Sequence, residues 1–337
     1  MLALRSSSSF KFIAAFAALA IASGCATRTT KPEPSQPSRP SQPQAPPIIE
    51  KTPGPQANLP VPTPVPTPPP APPSTPPTFL GKELPKVGLI LGPGGMKTFA
   101  HIGALREISK ARIPVHAVAG LEWGAVMGSL FASQGQVNDA EWKAMKLKEE
   151  EVVAEGGFLN RGGARSIGAA SEFLDTVFGN AQIERSKVKF ACPAYWSRQD
   201  RFGWLAKGSA KEAMRACVPY PPLYTDNAGV VAAPFSVEDA AQWLRSQGAN
   251  LIVLVNVLGA GEFLPEKNAG EHAVENLLWS EIRREMMKAK SPTVHFVINV
   301  NTSGHPMNDY DGRRALMDAG SKAASETVKK MVSQYGF

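Results

Sequence analysis

Two short segments hold the residues whose types and spacing could carry chemistry. The first, Gly92-Pro93-Gly94-Gly95-Met96-Lys97, follows the apolar run Val87–Leu91 and precedes a helical pattern. A glycine turn there aims backbone N–H groups at one point, which suits an anion or a developing oxyanion. Gly94, Gly95 and Lys97 are its candidate residues. A dinucleotide site is disfavoured, because the G-x-G-x-x-G spacing is absent. The second segment, Ala119-Gly120-Leu121-Glu122-Trp123-Gly124, has the spacing of a nucleophile elbow, G-x-S-x-G, with Glu122 in place of serine. A carboxylate can act as a nucleophile, but its acyl product is a mixed anhydride. Its charge also sits where a tetrahedral oxyanion needs stabilising.

Other candidates are weaker. Ser166 lies in a loop-to-helix segment with no strand before it, and Ser129 belongs to the helix beyond the elbow. The five histidines show no ligand spacing, so neither a metal nor a cofactor is expected. Cys192 and Cys217 either pair, as an exported protein allows, or remain reduced core thiols. Lys143, Lys146 and Lys148, followed by Glu149-Glu150-Glu151, read as a solvated helix face.

The elements around these segments alternate. Strands are expected at Val87–Leu91, Val115–Ala119, Val188–Cys192, Leu251–Val257 and Thr293–Asn299. Helices are expected over about 99–110, from Gly124 to about Ser133, and over 139–154 and 167–178. Ser236 with Asp239 reads as a capping box for a helix to about Gln247. Further helices are expected at Ala273–Lys288 and about 313–333. The alternation predicts an α/β fold with a largely parallel sheet covered on both faces.

With these residues in place, the chain resembles the patatin-like phospholipases over roughly 85–335. Their oxyanion turn, G-G-G-x-R-G before A-H-I-G, is similar to Gly92–Lys97 before Ala100-His101-Ile102-Gly103. Phe158-Leu159-Asn160, Arg215–Pro219, Gly229-Val230-Val231 and Gly248-Ala249-Asn250 resemble later segments of the family. The resemblance implies a three-layer α/β/α fold and a Ser–Asp dyad for ester hydrolysis. Glu122 takes the serine position. The aspartate position falls on Asn227, or on Asp226 if the register slips by one residue. Pro93 removes a backbone donor from the oxyanion turn, Lys97 and Thr98 replace arginine and glycine, and Trp123 brings a large ring to the elbow. A Glu122–Lys97 ion pair would neutralise the old oxyanion region, and Trp123 would plug the pocket.

Composition places this domain in the chain. Of 31 prolines, 20 fall between Pro32 and Pro77, and residues 26–78 hold no aromatic. Such a stretch cannot bury enough apolar surface to offset its ordering entropy, so 26–80 reads as a linker and 81–337 as the globular domain. Residues 1–25 read as an export signal. Arg5 and Lys11 precede the eleven-residue apolar run Phe12–Ala22, too short to span a bilayer, which ends in Ala22-Ser23-Gly24-Cys25. That ending resembles a bacterial lipoprotein signal with Cys25 lipidated. With Ala26 next, it implies an outer-membrane lipoprotein facing the periplasm. Stretch 31–77, in extended polyproline II, could reach roughly 150 Å. The net charge is +7, but residues 81–337 carry 30 basic against 27 acidic residues. A nucleic-acid partner is therefore not expected.

Three readings follow. The first is an envelope-anchored pseudoenzyme whose former cleft binds a lipid or an envelope protein. The second is an active lipid acyl hydrolase using Asp226 and an unconventional nucleophile. The third is a purely structural envelope protein.

Overall fold

In a computed structural model of the chain, the residues described are 84–152, 165–259, 273–288 and 293–337. The expected signal, Cys25, the linker and Phe158-Leu159-Asn160 lie outside them.

The sheet contains β1 (Val87–Leu91), β2 (Val115–Gly120), β3 (Lys189–Trp196), β4 (Arg201–Leu205), β5 (Val230–Ala232), β6 (Leu251–Asn256) and β7 (Phe296–Asn299). Its order is β4-β3-β2-β1-β6-β7, with β5 also paired to β3. β3, β2, β1, β6 and β7 run parallel, while β4 and β5 pair with β3 antiparallel. β1 and β6 are buried at every position, as central parallel strands covered on both faces must be.

Helices α1 (Ala100–Lys110), α2 (Trp123–Gln134), α3 (Val137–Ala144), α4 (Ser171–Phe178), α5 (Ala210–Cys217), α6 (Val237–Ser246), α7 (Ala273–Lys288) and α8 (Arg313–Tyr335) surround the sheet. Alternate residues of β1 face opposite ways. A Cβ added at Gly88 would lie 3.2 Å from Leu244 of α6, whereas Leu91 meets Gly128 of α2 on the other face. The sheet is therefore sandwiched, as the resemblance implied.

Several local expectations are corrected. The helix expected over 139–154 ends at Ala144, and Glu149–Glu151 form a separate 3-10 turn. Those acidic residues are not all solvated. Glu151 is only 4% exposed, and its carboxylate accepts from the N–H groups of Lys148 and Phe173, both at 2.8 Å. Lys143 and Lys148 pair with Asp139 and Glu172. Ser236 precedes α6 but makes no capping hydrogen bond, so the capping box does not form. β4, α5 and β5 are elements the sequence reading lacked.

Cys192 on β3 and Cys217 at the end of α5 form a disulfide, with a Cα–Cα distance of 6.0 Å. It ties the sheet to the helix that precedes Asn227.

Candidate active site

The elbow is built by close backbone approach. A Cβ on Gly120 would lie 2.4 Å from the Ala125 Cα, and one on Gly124 would lie 2.3 Å from the Leu91 carbonyl oxygen. Only glycine fits at either position. Leu121 N–H donates to the Leu91 carbonyl at 2.9 Å, which fastens the elbow to the end of β1. Between the glycines, Glu122 has φ 51° and ψ −128°, a conformation disfavoured for any residue with a Cβ. Such strain costs about 1–3 kcal/mol and persists only where the surroundings impose it. The elbow geometry thus survives without its serine.

That geometry turns Glu122 onto the neighbouring turn. Its Oε2 accepts from the N–H groups of both Gly94 and Gly95, each at 3.0 Å. Gly95 has φ 55°, and a Cβ there would lie 2.5 Å from the Met307 carbonyl oxygen, so the turn also needs glycine. Pro93 does not empty the hole, because the two donors come from the residues after it.

The bonding has a direct chemical meaning. An acyl-serine runs Cβ–Oγ–C=O, and a glutamate runs Cβ–Cγ–Cδ=O. Atom for atom, Glu122 Cδ stands for the acyl carbon and Oε2 for the oxygen that an oxyanion hole polarises. Oε1 stands where the first atom of the acyl chain, or a leaving or attacking group, would be. Glu122 is an internal copy of an acyl-enzyme.

Glu122 is completely buried. Burial raises its pKa from 4.5 to about 7, against the opposing pull of the backbone N–H groups of Gly94, Gly95 and Trp123. Oε1 is buried and accepts no hydrogen bond of good geometry. His101, in the first turn of α1, is also fully buried. Desolvation lowers its pKa to about 4, opposed by its 2.7 Å hydrogen bond to the Gly92 carbonyl. With the ring neutral, Nε2–H is the donor in that bond.

Lys97 does not neutralise Glu122. Its Nζ donates to Thr302 Oγ1 at 3.2 Å, and that hydroxyl donates to the Val257 carbonyl at 2.9 Å. The expected Glu122–Lys97 ion pair is thus not formed. Segment 302–307 fixes the turn a second time, through Met96 N–H to the Met307 carbonyl at 2.7 Å.

Trp123 is fully buried between Phe173 and Tyr224, at ring-centroid distances of 6.4 and 6.2 Å. It packs beside the elbow. Burial raises the hydroxyl pKa of Tyr224 and Tyr220, and the Glu122 charge adds to both shifts. Neither tyrosine was singled out from the sequence, which offered no signal for them beyond their nearness to Pro219.

The dyad acid is not assembled. The Asp226 carboxylate accepts from Gly229 N–H at 2.6 Å and closes its own turn. Asn227 Nδ2 donates to the Arg215 carbonyl at 3.1 Å. Neither makes a hydrogen bond to Glu122. Ser166 Oγ accepts from Gly168 N–H at the start of a 3-10 turn, and Ser129 is buried within α2. Among the described residues, no group of three or more His, Cys, Asp or Glu could hold a metal ion.

The patatin-like phospholipase family model matches residues 89–246, a span that holds both the oxyanion turn and the elbow. The chain carries a patatin-like phospholipase domain. Similar curated proteins include a lysophospholipase NTE1 of Coccidioides immitis, 26% identical over 53% of this chain and 12% of its own length. An uncharacterised NTE-family protein of Mycobacterium tuberculosis is 28% identical over 56% of this chain and 53% of its own. The neuropathy target esterase sws of Drosophila melanogaster is 45% identical over 64 residues, 19% of this chain and 4% of its own length. This patatin-like chain thus spans between a twenty-fifth and about half of these relatives. Among solved structures, VipD from Legionella pneumophila is 10% identical over 75% of this chain and 67% of its own, with a TM-score of 0.41. ExoU of Pseudomonas aeruginosa, in complex with SpcU, is 13% identical over 74% and 53%, with a TM-score of 0.37.

Proposed function

We propose that this patatin-like protein is a pseudoenzyme held at the bacterial cell envelope, without serine-hydrolase catalysis. The observation that carries the reading is the Glu122 carboxylate bonded to the Gly94 and Gly95 amides. A substrate carbonyl would have to displace an acceptor already joined to the chain, and no serine stands at the elbow to attack it. Asp226 and Asn227 hydrogen-bond to backbone groups other than those of the elbow, which supports the same reading, because among the described residues neither is bonded where it would activate a nucleophile.

On this reading the function is binding. The former cleft is filled by Glu122 and Trp123, so a lipid or an envelope protein would engage its rim, where Tyr220 is half-buried. Cys25, lipidated, would hold the protein to the outer membrane on the periplasmic side, and the proline-rich stretch would give it reach.

The test is hydrolysis of phospholipids and short-chain esters by the purified full chain, beside Glu122→Ala, Glu122→Ser and Glu122→Ser/Asn227→Asp. The expected outcome is no turnover by the wild type, and none by Glu122→Ser alone, since the acid is not assembled. Wild-type turnover that disappears in Glu122→Ala would overturn the reading in favour of an unconventional acyl hydrolase.

A further inference from the structure

A second site lies on the helices. The groove between α1, α3 and α8 holds a cleft of about 460 Å³, lined by Arg106, Glu141, Met145, Arg314, Met317 and Asp318. That volume falls within the range of small-molecule sites.

The charges in the cleft fall into two sets. Arg106 Nε donates to Glu141 Oε2 at 3.0 Å, Nη2 meets Oε1 at 2.5 Å, and Nη2 also contacts Met317 Sδ at 3.7 Å. This pair is closed on itself and joins α1 to α3 against Met317 of α8. Arg314 and Asp318 are different. Both are exposed on α8, and among the described residues neither side chain has a hydrogen-bond or ion-pair partner.

The order of the two residues is the less favourable one for an ion pair along a helix. An i,i+4 pair closes better with the acid on the N-terminal side. Asp139–Lys143 and Glu326–Lys330 have that order and do close, at 3.0 and 2.6 Å. Arg314 precedes Asp318, which is the weaker arrangement. One cation and one anion are thus left unpaired on adjacent turns, their Cβ atoms about 6 Å apart, well within one Debye length of each other. A cleft with no net charge holds neither a simple anion nor a simple cation firmly. It suits a small ligand carrying both charges.

We propose that this cleft binds a small zwitterion, with its phosphate or carboxylate on Arg314 and its ammonium on Asp318. The thioethers of Met145 and Met317, polarisable and adaptable, would pack against the carbon atoms or methyl groups between them. The inference does not rest on the fate of Glu122, which lies in a different part of the fold.

The experiment is calorimetric titration of the full chain with phosphocholine, phosphoethanolamine and glycylglycine. Inorganic phosphate and choline chloride serve as single-charge probes. At least one zwitterion is expected to bind with a Kd of roughly 1 mM or tighter. Arg314→Gln and Asp318→Asn should each weaken it about tenfold, and both single-charge probes should bind at least about tenfold more weakly than the zwitterion. Tighter binding of the phosphate compounds would identify a phosphate zwitterion, and tighter binding of glycylglycine a carboxylate one. Both substitutions are at exposed positions, and unchanged thermal unfolding would confirm that the variants fold. No binding by any zwitterion, binding unmoved by both substitutions, or inorganic phosphate binding as tightly as the zwitterions would overturn the proposal.

Discussion

Glu122 and His101 are buried titratable groups flanking one turn, and their effects on stability have opposite signs. The folded Glu122 carboxyl titrates near 7 rather than 4.5. Between those values the folded state keeps a proton that the unfolded chain has released, so stability falls as pH rises through the window. The full cost, about 3 kcal/mol, is present above pH 7. His101 titrates near 4 rather than 6.5. The unfolded chain takes up a proton that the folded one refuses, so His101 makes stability fall as pH drops below 6.5. From about pH 4.5 to 6.5 the two slopes oppose each other. The carboxyls lowered by surface partners, Asp175, Glu184 and Glu326, act only below their ordinary values near 4 and leave this window alone. His295, lowered by partial burial and by the Arg245 charge, adds to the loss on acidification below 6.5. Glu122→Gln keeps an acceptor for the two amides but removes the opposing carboxyl titration. Urea unfolding should therefore show stability dropping more steeply on acidification from pH 6.5 to 4.5 in Glu122→Gln than in the wild type. Equal slopes in the two proteins would contradict the assignment.

At the scale of elements, legibility followed backbone geometry. The oxyanion turn and the elbow could be read because close approach demands glycine at fixed spacing, and Gly95, Gly120 and Gly124 are all required by contacts under about 2.6 Å. Long or strongly apolar elements were also legible. β4 and β5 were missed because they are short, half-exposed and defined by pairing with β3 rather than by their own pattern. The destinations of side chains were not legible. Lys97 reaches Thr302, 205 residues away, and nothing local marks that partner. The pairing of Cys192 and Cys217 was left open for the same reason, since a spacing of 25 residues fits many geometries. The disulfide joins β3 to α5, whose Arg215 carbonyl holds Asn227. Replacing both cysteines with alanine should cost about 3 kcal/mol in global stability by denaturant unfolding. If reduction or replacement changed stability by less than experimental error, the tie would have no structural weight.

For the whole molecule, the family and the α/β architecture were readable from the order of motifs along the chain, and the sandwiched sheet agrees. What the old site has become depends on one side chain in three dimensions. The sequence identified Glu122 as adverse to catalysis, but suggested an ion pair with Lys97. The strained elbow instead aims the carboxylate at the amides, because it still delivers a carbonyl to the place where an acyl-serine would present one. The proposed envelope anchoring is assigned to residues 1–80 and can be tested separately. Expressed as the full chain in a Gram-negative cell, the protein should incorporate labelled palmitate and fractionate with outer membranes. Cys25→Ser should do neither, and palmitate incorporation undiminished in Cys25→Ser would remove the lipid anchor from the account.

The central claim, that Glu122 fills the oxyanion hole, has a direct spectroscopic test. The backbone amide shifts of Gly94 and Gly95 can be followed by NMR from pH 5 to pH 9, in the wild type and in Glu122→Gln. The account predicts that both amides move together with a midpoint near the carboxyl's value of about 7, downfield as the carboxylate forms, and that neither moves in Glu122→Gln. Amides insensitive to pH in the wild type, or titrating identically in both proteins, would show that the hole is not occupied by Glu122.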